Sequence, residues 1–200
     1  GPSPISRWTW NMYYSTRKRK EESLLKYYKE IKTKEGFTLS IDMVTIDYSI
    51  SSSAARDELA KILDNLPLLY AVEVRHWSSL RIGTFRENFV LKFQDQTSFW
   101  LGVGLNAHKP LWGRSRIEFN PNKVANHKVF LELLGWFNIH SLRMNSIIKR
   151  FDLAIDIPFG RQSVRLLKDR RVYTERRHGQ EWTEYLGKSS TVGRVKLYNK

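Results

Sequence analysis

The most constraining feature of this sequence is a strict two-residue alternation in residues 149–158, KRFDLAIDIP. The apolar set is Phe151, Leu153, Ile155 and Ile157, and the set between them is Arg150, Asp152, Ala154 and Asp156. Successive side chains of a β-strand point to opposite faces, so this alternation predicts a strand. We expect its apolar side to pack on a core and its polar side to carry two carboxylates.

Two further segments, residues 115–123 and 193–200, have the same two-sided character. The last segment places Arg194, Lys196, Tyr198 and Lys200 on one side. We expect these three segments to be neighbouring strands whose polar sides meet in one pocket. Carboxylates that bind a divalent cation, a tyrosine nucleophile and a nearby cation together suit metal-assisted cleavage of a phosphodiester. The alternative is that these are ordinary solvent faces with cross-strand ion pairs.

The charge of the chain favours a polyanionic partner. Lys and Arg number 34 against 20 Asp and Glu, which gives a formal charge of +14. Nucleic acid is the first expectation and an anionic membrane the second, and no apolar run approaches the roughly 20 residues of a membrane span. The absence of cysteine excludes disulfides and thiolate catalysis and is compatible with the cytoplasm, where we expect the protein.

Hydrophobic periodicity predicts an α+β fold, with a mostly antiparallel central sheet and helices packed on one face. The predicted helices are residues 21–31 with an end near Gly36, residues 54–66, residues 126–134 with an end at Gly135, and a basic helix at 160–171. The predicted strands are residues 38–49, 69–76, 89–93, 98–103, 114–120, 149–158, 183–188 and 193–200. We assign residues 1–37 to a basic, aromatic arm with a helix and residues 38–200 to one catalytic domain, which we expect to continue past Lys200.

Several common motifs are absent from the sequence. It contains no GxxxxGK[ST] loop and no GxGxxG, which argues against a nucleotide-driven motor. The five histidines show no HxH or HExxH spacing, so we predict neither a zinc protease nor a histidine-pair nickase.

Residues 148–157, IKRFDLAIDI, and 184–200, EYLGKSSTVGRVKLYNK, resemble the replication initiation factor (Rep_trans) family of rolling-circle plasmid initiators and related conjugative-element nickases. Members of that family have a strand of the form RxDLAxD and, after a basic helix, a YxG hairpin whose second strand reads RxY-x-K. The strand that includes Glu118 is also similar to the one preceding the acidic strand in these proteins. The resemblance covers roughly residues 40–200, and the family's second acid at the end of the acidic strand is replaced here by Ile157.

The resemblance implies sequence-specific nicking and joining of one DNA strand at a plasmid origin, with Mg²⁺ or Mn²⁺ assisting. By position, Tyr198 would be the nucleophile, supported by Lys196 and Lys200, and Tyr185 would be the rival nucleophile. Glu118, Asp152 and Asp156 would be the metal carboxylates. A phenol with a pKa near 10 needs activation by a neighbouring cation or base.

The implied partners are single-stranded or hairpin DNA at the origin, a helicase and a second copy of the chain, with no membrane. The DNA backbone would contact Arg17, Lys18, Arg19, Lys20, Arg150, Arg161, Arg165, Lys168, Arg170, Arg171 and Arg194. Three alternatives stay open at this point: a relaxase of a conjugative element with the same chemistry, a non-enzymatic basic DNA-binding module, and a basic RNA-binding protein.

Overall fold

A computed structural model describes residues 30–50, 52–79, 81, 84–104, 113–141, 146–160, 170–188 and 193–199. The chain divides into two compact units, Gly1–Asp156 and Ile157–Lys200. The catalytic domain predicted for residues 38–200 therefore spans both units. None of the helices in these ranges combines the length and the apolar character needed to cross a membrane.

The first unit contains a seven-stranded sheet. Its strands are β1 (Ile31–Lys32), β2 (Thr38–Ser49), β3 (Val72–Ser78), β4 (Glu87–Phe93), β5 (Ser98–Val103), β6 (Arg114–Phe119) and β7 (Ile147–Asp156). The strand order is β1-β2-β6-β5-β4-β3, every pairing is antiparallel, and β7 pairs with the remaining edge of β2. The long strand β2 thus lies between β6 and β7.

Three helices accompany this sheet, α1 (Ser53–Leu69), α2 (Pro121–Val124) and α3 (Lys128–His140). Ser52 caps α1, because its side chain accepts a hydrogen bond of 3.1 Å from the backbone N–H of Ala55. The apolar stripes of α1 and α3 pack on the alternate, inward residues of β2 to β6 in one continuous core. The α+β fold with a mostly antiparallel central sheet and helices on one face is confirmed.

The second unit contains a three-stranded antiparallel sheet, β8 (Tyr173–His178), β9 (Glu181–Leu186) and β10 (Val195–Tyr198), in the order β10-β9-β8. The hairpin of β9 and β10 was predicted, whereas β8 was not. Both faces of β8 carry polar residues, so its sequence, YTERRH, shows no apolar alternation from which to predict a strand.

Two predicted helix ends are wrong. Residues 31–36 form a short strand and a turn rather than the end of a helix, and residues 21–29 of that predicted helix lie outside the described part of the chain. The helix predicted to end at Gly135 continues to His140, because Trp136 and Phe137 extend its buried stripe beyond the glycine. Most of the predicted basic helix, residues 161–169, also lies outside the described ranges.

The predicted burial of β7 is wrong. The strand forms as expected, but Phe151, Leu153 and Ile155 are exposed, Leu153 by 73%, while Asp152 and Ala154 are partly buried. The core cluster includes Val44 and Tyr48 of β2 but no residue of β7. The apolar side of β7 therefore has no helix layer to pack on among the described residues.

The expectation that the three segments are neighbouring strands is also wrong. Strands β6 and β7 flank β2 in the first sheet, but β10 belongs to the second sheet.

Candidate functional site

Both candidate tyrosines lie on one face of the second sheet. Tyr185 of β9 pairs directly with Lys196 of β10, and Tyr198 is two residues beyond Lys196, so the three side chains point to the same side. Thr174 of β8 also pairs with Tyr185. We call this side the tyrosine face; it carries Thr174, Arg176, His178, Glu181, Thr183, Tyr185, Lys196 and Tyr198.

Cations contact the rings of both tyrosines. The guanidinium carbon of Arg194 lies 4.2 Å from the ring centroid of Tyr185, and that of Arg176 lies 5.9 Å from it. The ammonium of Lys196 lies 4.8 Å from the centroid of Tyr198. These are cation–π distances, and they concentrate positive charge beside two phenols. A phosphate that approached either hydroxyl would meet these cations.

Tyr198 is accessible and its strand end is fixed. Its side chain is 43% exposed. The next residue, Asn199, accepts a hydrogen bond of 3.0 Å from the backbone N–H of Trp182 and donates one of 3.0 Å to the carbonyl of Gln180. Asn199 thus holds the end of β10 against the start of β9, and this fixes the backbone from which Tyr198 projects.

The opposite side of the second sheet is the packing side. Leu186 and Glu184 are buried there, and Tyr173 donates a hydrogen bond of 2.7 Å from its hydroxyl to Oε1 of Glu184. The hydroxyl of Tyr173 is thus bonded to a buried carboxylate, whereas the rings of Tyr185 and Tyr198 contact cations.

A second polar group lies in the first unit, where β2 separates β6 from β7. Thr45 pairs with Glu118 on one side and with Arg150 on the other, and its hydroxyl donates a hydrogen bond of 3.0 Å to Oε2 of Glu118. Because Ile117 and Phe119 face the core, Glu118 points away from the helices. Arg150, Asp152 and Glu118 therefore share the side of the sheet opposite the helices.

Arg150 pairs with Asp152. Its Nε lies 3.0 Å from each carboxylate oxygen of Asp152, and Nη2 makes a further bond. The hydrogen bond to Asp152 is the main cause of a raised Arg150 pKa, and the charges of Glu118 and Asp42 raise the pKa further. The guanidinium of Arg150 thus bonds both of the Asp152 carboxylate oxygens that could bind a metal ion.

The fit to a divalent metal rests on two carboxylates. Among the residues described, no group of three or more His, Asp or Glu side chains is placed to hold an ion. Asp156 pairs with Thr38, four residues along β7 from Asp152, which is roughly 13 Å in a strand. Mg²⁺ is often bound through one or two carboxylates together with water and substrate phosphates, so Glu118 and Asp152 have suitable chemistry once Arg150 releases Asp152.

The remaining predicted contacts are only partly within the described ranges. Arg170 is exposed, and Arg171 donates a hydrogen bond to the carbonyl of Gly193. The residues that lie outside the described part of the chain are Arg17, Lys18, Arg19, Lys20, Arg161, Arg165, Lys168 and Lys200.

Sequence reasoning did not assign Thr45, Arg176 or Asn199. Arg176 belongs to β8, which was not predicted because both of its faces are polar. Asn199 follows the predicted Tyr198 directly, and its link to Gln180 depends on the hairpin pairing. The role of Thr45 depends on the pairing of β2 with β6 and β7, which places Thr45 between Glu118 and Arg150.

No protein-family model matches this chain, and no curated protein matches it.

Proposed function

We propose that this chain nicks and rejoins one strand of DNA by tyrosine transesterification, as a rolling-circle replication initiator acting at a plasmid origin in the cytoplasm. The observation that carries the proposal is the tyrosine face: two phenols and the cations Arg176, Arg194 and Lys196 stand on one side of a small antiparallel sheet. The formal charge of +14 supports DNA as the partner. The same chemistry serves a relaxase of a conjugative element.

In the proposed reaction, the phenol oxygen of Tyr198 attacks a backbone phosphorus. The new bond joins Tyr198 Oη to phosphorus, the bond from phosphorus to the 3′ oxygen breaks, and the 3′ oxygen gains the proton that the phenol loses. The protein stays linked to the 5′ phosphate, and the free 3′ hydroxyl primes synthesis. Rejoining is the reverse reaction, in which the 3′ hydroxyl displaces the tyrosine.

Lys196 is the first candidate to stabilise charge in this reaction, because its ammonium lies over the Tyr198 ring. Tyr185, which contacts Arg194 and Arg176, is the rival nucleophile. Glu118 and Asp152 are the residues that would hold Mg²⁺ or Mn²⁺, which when bound would offset charge on a phosphate.

The second candidate function is a non-enzymatic DNA-binding module. One observation favours it: Arg150 binds both oxygens of Asp152, so that this carboxylate serves an ion pair. In that case the acidic residues are structural, and binding is salt dependent with no cleavage at any metal concentration.

The test incubates supercoiled plasmid bearing the cognate origin with the protein and Mg²⁺ or Mn²⁺. We expect open circles that carry covalently attached protein, and we expect Tyr198→Phe to abolish both. Tyr173→Phe is the matched control, because it makes the same change on the opposite face of the same sheet and should leave nicking intact. Both variants are checked by circular dichroism for unchanged folding.

Persistent cleavage by Tyr198→Phe together with loss in Tyr185→Phe would move the nucleophile to Tyr185. Full activity in both variants, or no cleavage by the wild-type protein, would refute tyrosine transesterification.

A further inference from the structure

The seven-stranded sheet carries a surface on the side opposite its helices, and the proposed function uses only the end of it that holds Glu118 and Asp152. We call this surface the open face. The paired registers of adjacent strands define two rows across it. The first row is Trp77, Asn88, Gly102, Arg116 and Asp47, and the second is Arg75, Val90, Trp100, Glu118, Thr45 and Arg150.

Trp77 marks one end of this surface. It lies on β3, the outer strand of the sheet, and 41% of its side chain is exposed. The preceding residue, His76, stacks on Phe89 at a centroid distance of 4.5 Å on the helix side, so Trp77 points to the open face. The guanidinium of Arg75 lies 5.9 Å from the Trp77 ring. Among the described residues, Arg75 makes no ion pair with a carboxylate.

Gly102 makes room for two more rings at the middle of the open face. A Cβ atom at this position would lie 2.6 Å from Cη2 of Trp100 and 2.7 Å from Cγ of Phe85. These two rings meet edge to face at 6.0 Å, and Arg116 lies 5.4 Å from the Phe85 ring. Asp47 holds Arg116 in place through a hydrogen bond of 2.9 Å. Phe85 is buried and Trp100 is partly buried, so the middle of the face is a packed aromatic layer beside a fixed guanidinium.

The other end of the open face carries the carboxylates of Glu118 and Asp152. From β3 to β7 there are five strand spacings, which is roughly 24 Å at 4.8 Å each. The second row runs from Arg75 past Trp100 to Glu118 and Arg150, and Asp152 follows on β7. A ligand that extends from Trp77 across the face therefore reaches Glu118 and Asp152.

We propose that the open face binds single-stranded DNA, with a base stacked on Trp77 and Arg75 contacting a backbone phosphate, and that it leads the strand towards Glu118 and Asp152. An exposed aromatic ring beside a guanidinium group, as at Trp77 and Arg75, suits an unstacked base, whose faces a duplex hides. This inference rests on the proposed function, whose expected single-stranded substrate it keeps, and it adds a binding surface on the first sheet.

The test measures binding of a fluorescein-labelled oligothymidylate of about twelve nucleotides, within the size range of single-strand sites, by fluorescence anisotropy in EDTA. We expect Trp77→Ala to weaken binding about 5-fold to 150-fold, the effect of losing one stacked base. Trp77→Phe should retain most of the affinity, because it keeps an aromatic face. Leu68→Ala, at an exposed apolar residue of α1 on the helix side, is the matched control and should bind as the wild type does.

The same binding measurement with duplex DNA and with single-stranded RNA of matched length identifies the class of ligand. Tighter binding of either one than of single-stranded DNA would overturn the proposal, and so would affinity of Trp77→Ala within about twofold of wild type. A Trp77→Ala variant that changes the sedimentation coefficient at unchanged DNA affinity would assign β3 to pairing with a second copy instead. Since EDTA removes the metal, loss of binding in Trp77→Ala supports the open face even if the wild-type protein never nicks DNA.

Discussion

Asp95 illustrates at the residue scale how one turn controls a surface carboxyl. In the turn between β4 and β5 it accepts hydrogen bonds from the hydroxyl and the backbone N–H of Thr97, and a further bond of 2.8 Å from His127. These bonds lower the Asp95 pKa below its ordinary value of 3.8, and the Thr97 hydroxyl contributes most. His127 in turn stacks on Phe93 at 3.8 Å, directly before α3. The turn is therefore joined to the helix layer.

The sign of the resulting pH dependence follows from the lowered pKa. The folded protein favours the carboxylate, so the stabilisation is fully present above pH 3.8 and is lost as the pH falls through the lowered Asp95 pKa. We expect Thr97→Ala to raise the Asp95 pKa towards 3.8, as measured by NMR titration of its carboxyl carbon. Thr174→Ala, in the second unit, is the control and should leave that pKa unchanged. An Asp95 pKa that is the same in Thr97→Ala and in the wild type would contradict this account.

At the scale of elements, burial follows the sequence pattern in the strands that face a helix layer, and it does not follow that pattern in β7. Residues 38–49 and 98–103 were predicted to the residue, because their β-branched and aromatic side chains alternate over a covered core. In β7 the same alternation predicted the strand correctly and its buried side incorrectly. Periodicity reports that a strand has two unlike sides, whereas burial depends on whether another element covers one of them.

The reversed burial of β7 has a measurable consequence. We expect Leu153→Ala to change the free energy of unfolding by no more than about 0.5 kcal/mol, as is usual for an exposed position. Leu101→Ala, at a fully buried residue of β5, should cost about 2–5 kcal/mol. Urea denaturation of the two variants makes the comparison. A loss of several kcal/mol in Leu153→Ala would show that the apolar side of β7 is covered.

Part of the candidate site could be predicted from the sequence, and part of it depends on contacts between strands. The alternation of residues 193–200 correctly placed Lys196 and Tyr198 on one side, and the hairpin added Tyr185. The cation over Tyr185 from β8 and the guanidinium beside Asp152 depend on side-chain placement and on pairing between strands distant in sequence. Alternation within one segment contains no information on either.

At the scale of the whole molecule, the net charge of +14 should dominate affinity for DNA. We expect the logarithm of the binding constant to fall linearly with the logarithm of salt concentration. Arg194→Ala and Lys196→Ala should each lessen that slope by roughly 0.7, the value for one phosphate contact on a single strand. Lys34→Ala, an exposed change in the turn before β2, is the control with the same loss of charge. Equal slopes in all three variants would mean that the tyrosine face does not contact phosphate.

The central claim is that Tyr198 becomes covalently joined to DNA, and peptide mass spectrometry of the trapped protein–DNA complex tests it most directly. After nuclease and protease digestion, the proposal predicts a nucleotide 5′-phosphate on the peptide that contains Tyr198, and unmodified peptides for Tyr185 and Tyr173. A nucleotide on Tyr185 would transfer the role to that residue. The absence of any tyrosine-linked nucleotide from a preparation that binds origin DNA would contradict the catalytic account and leave a DNA-binding protein.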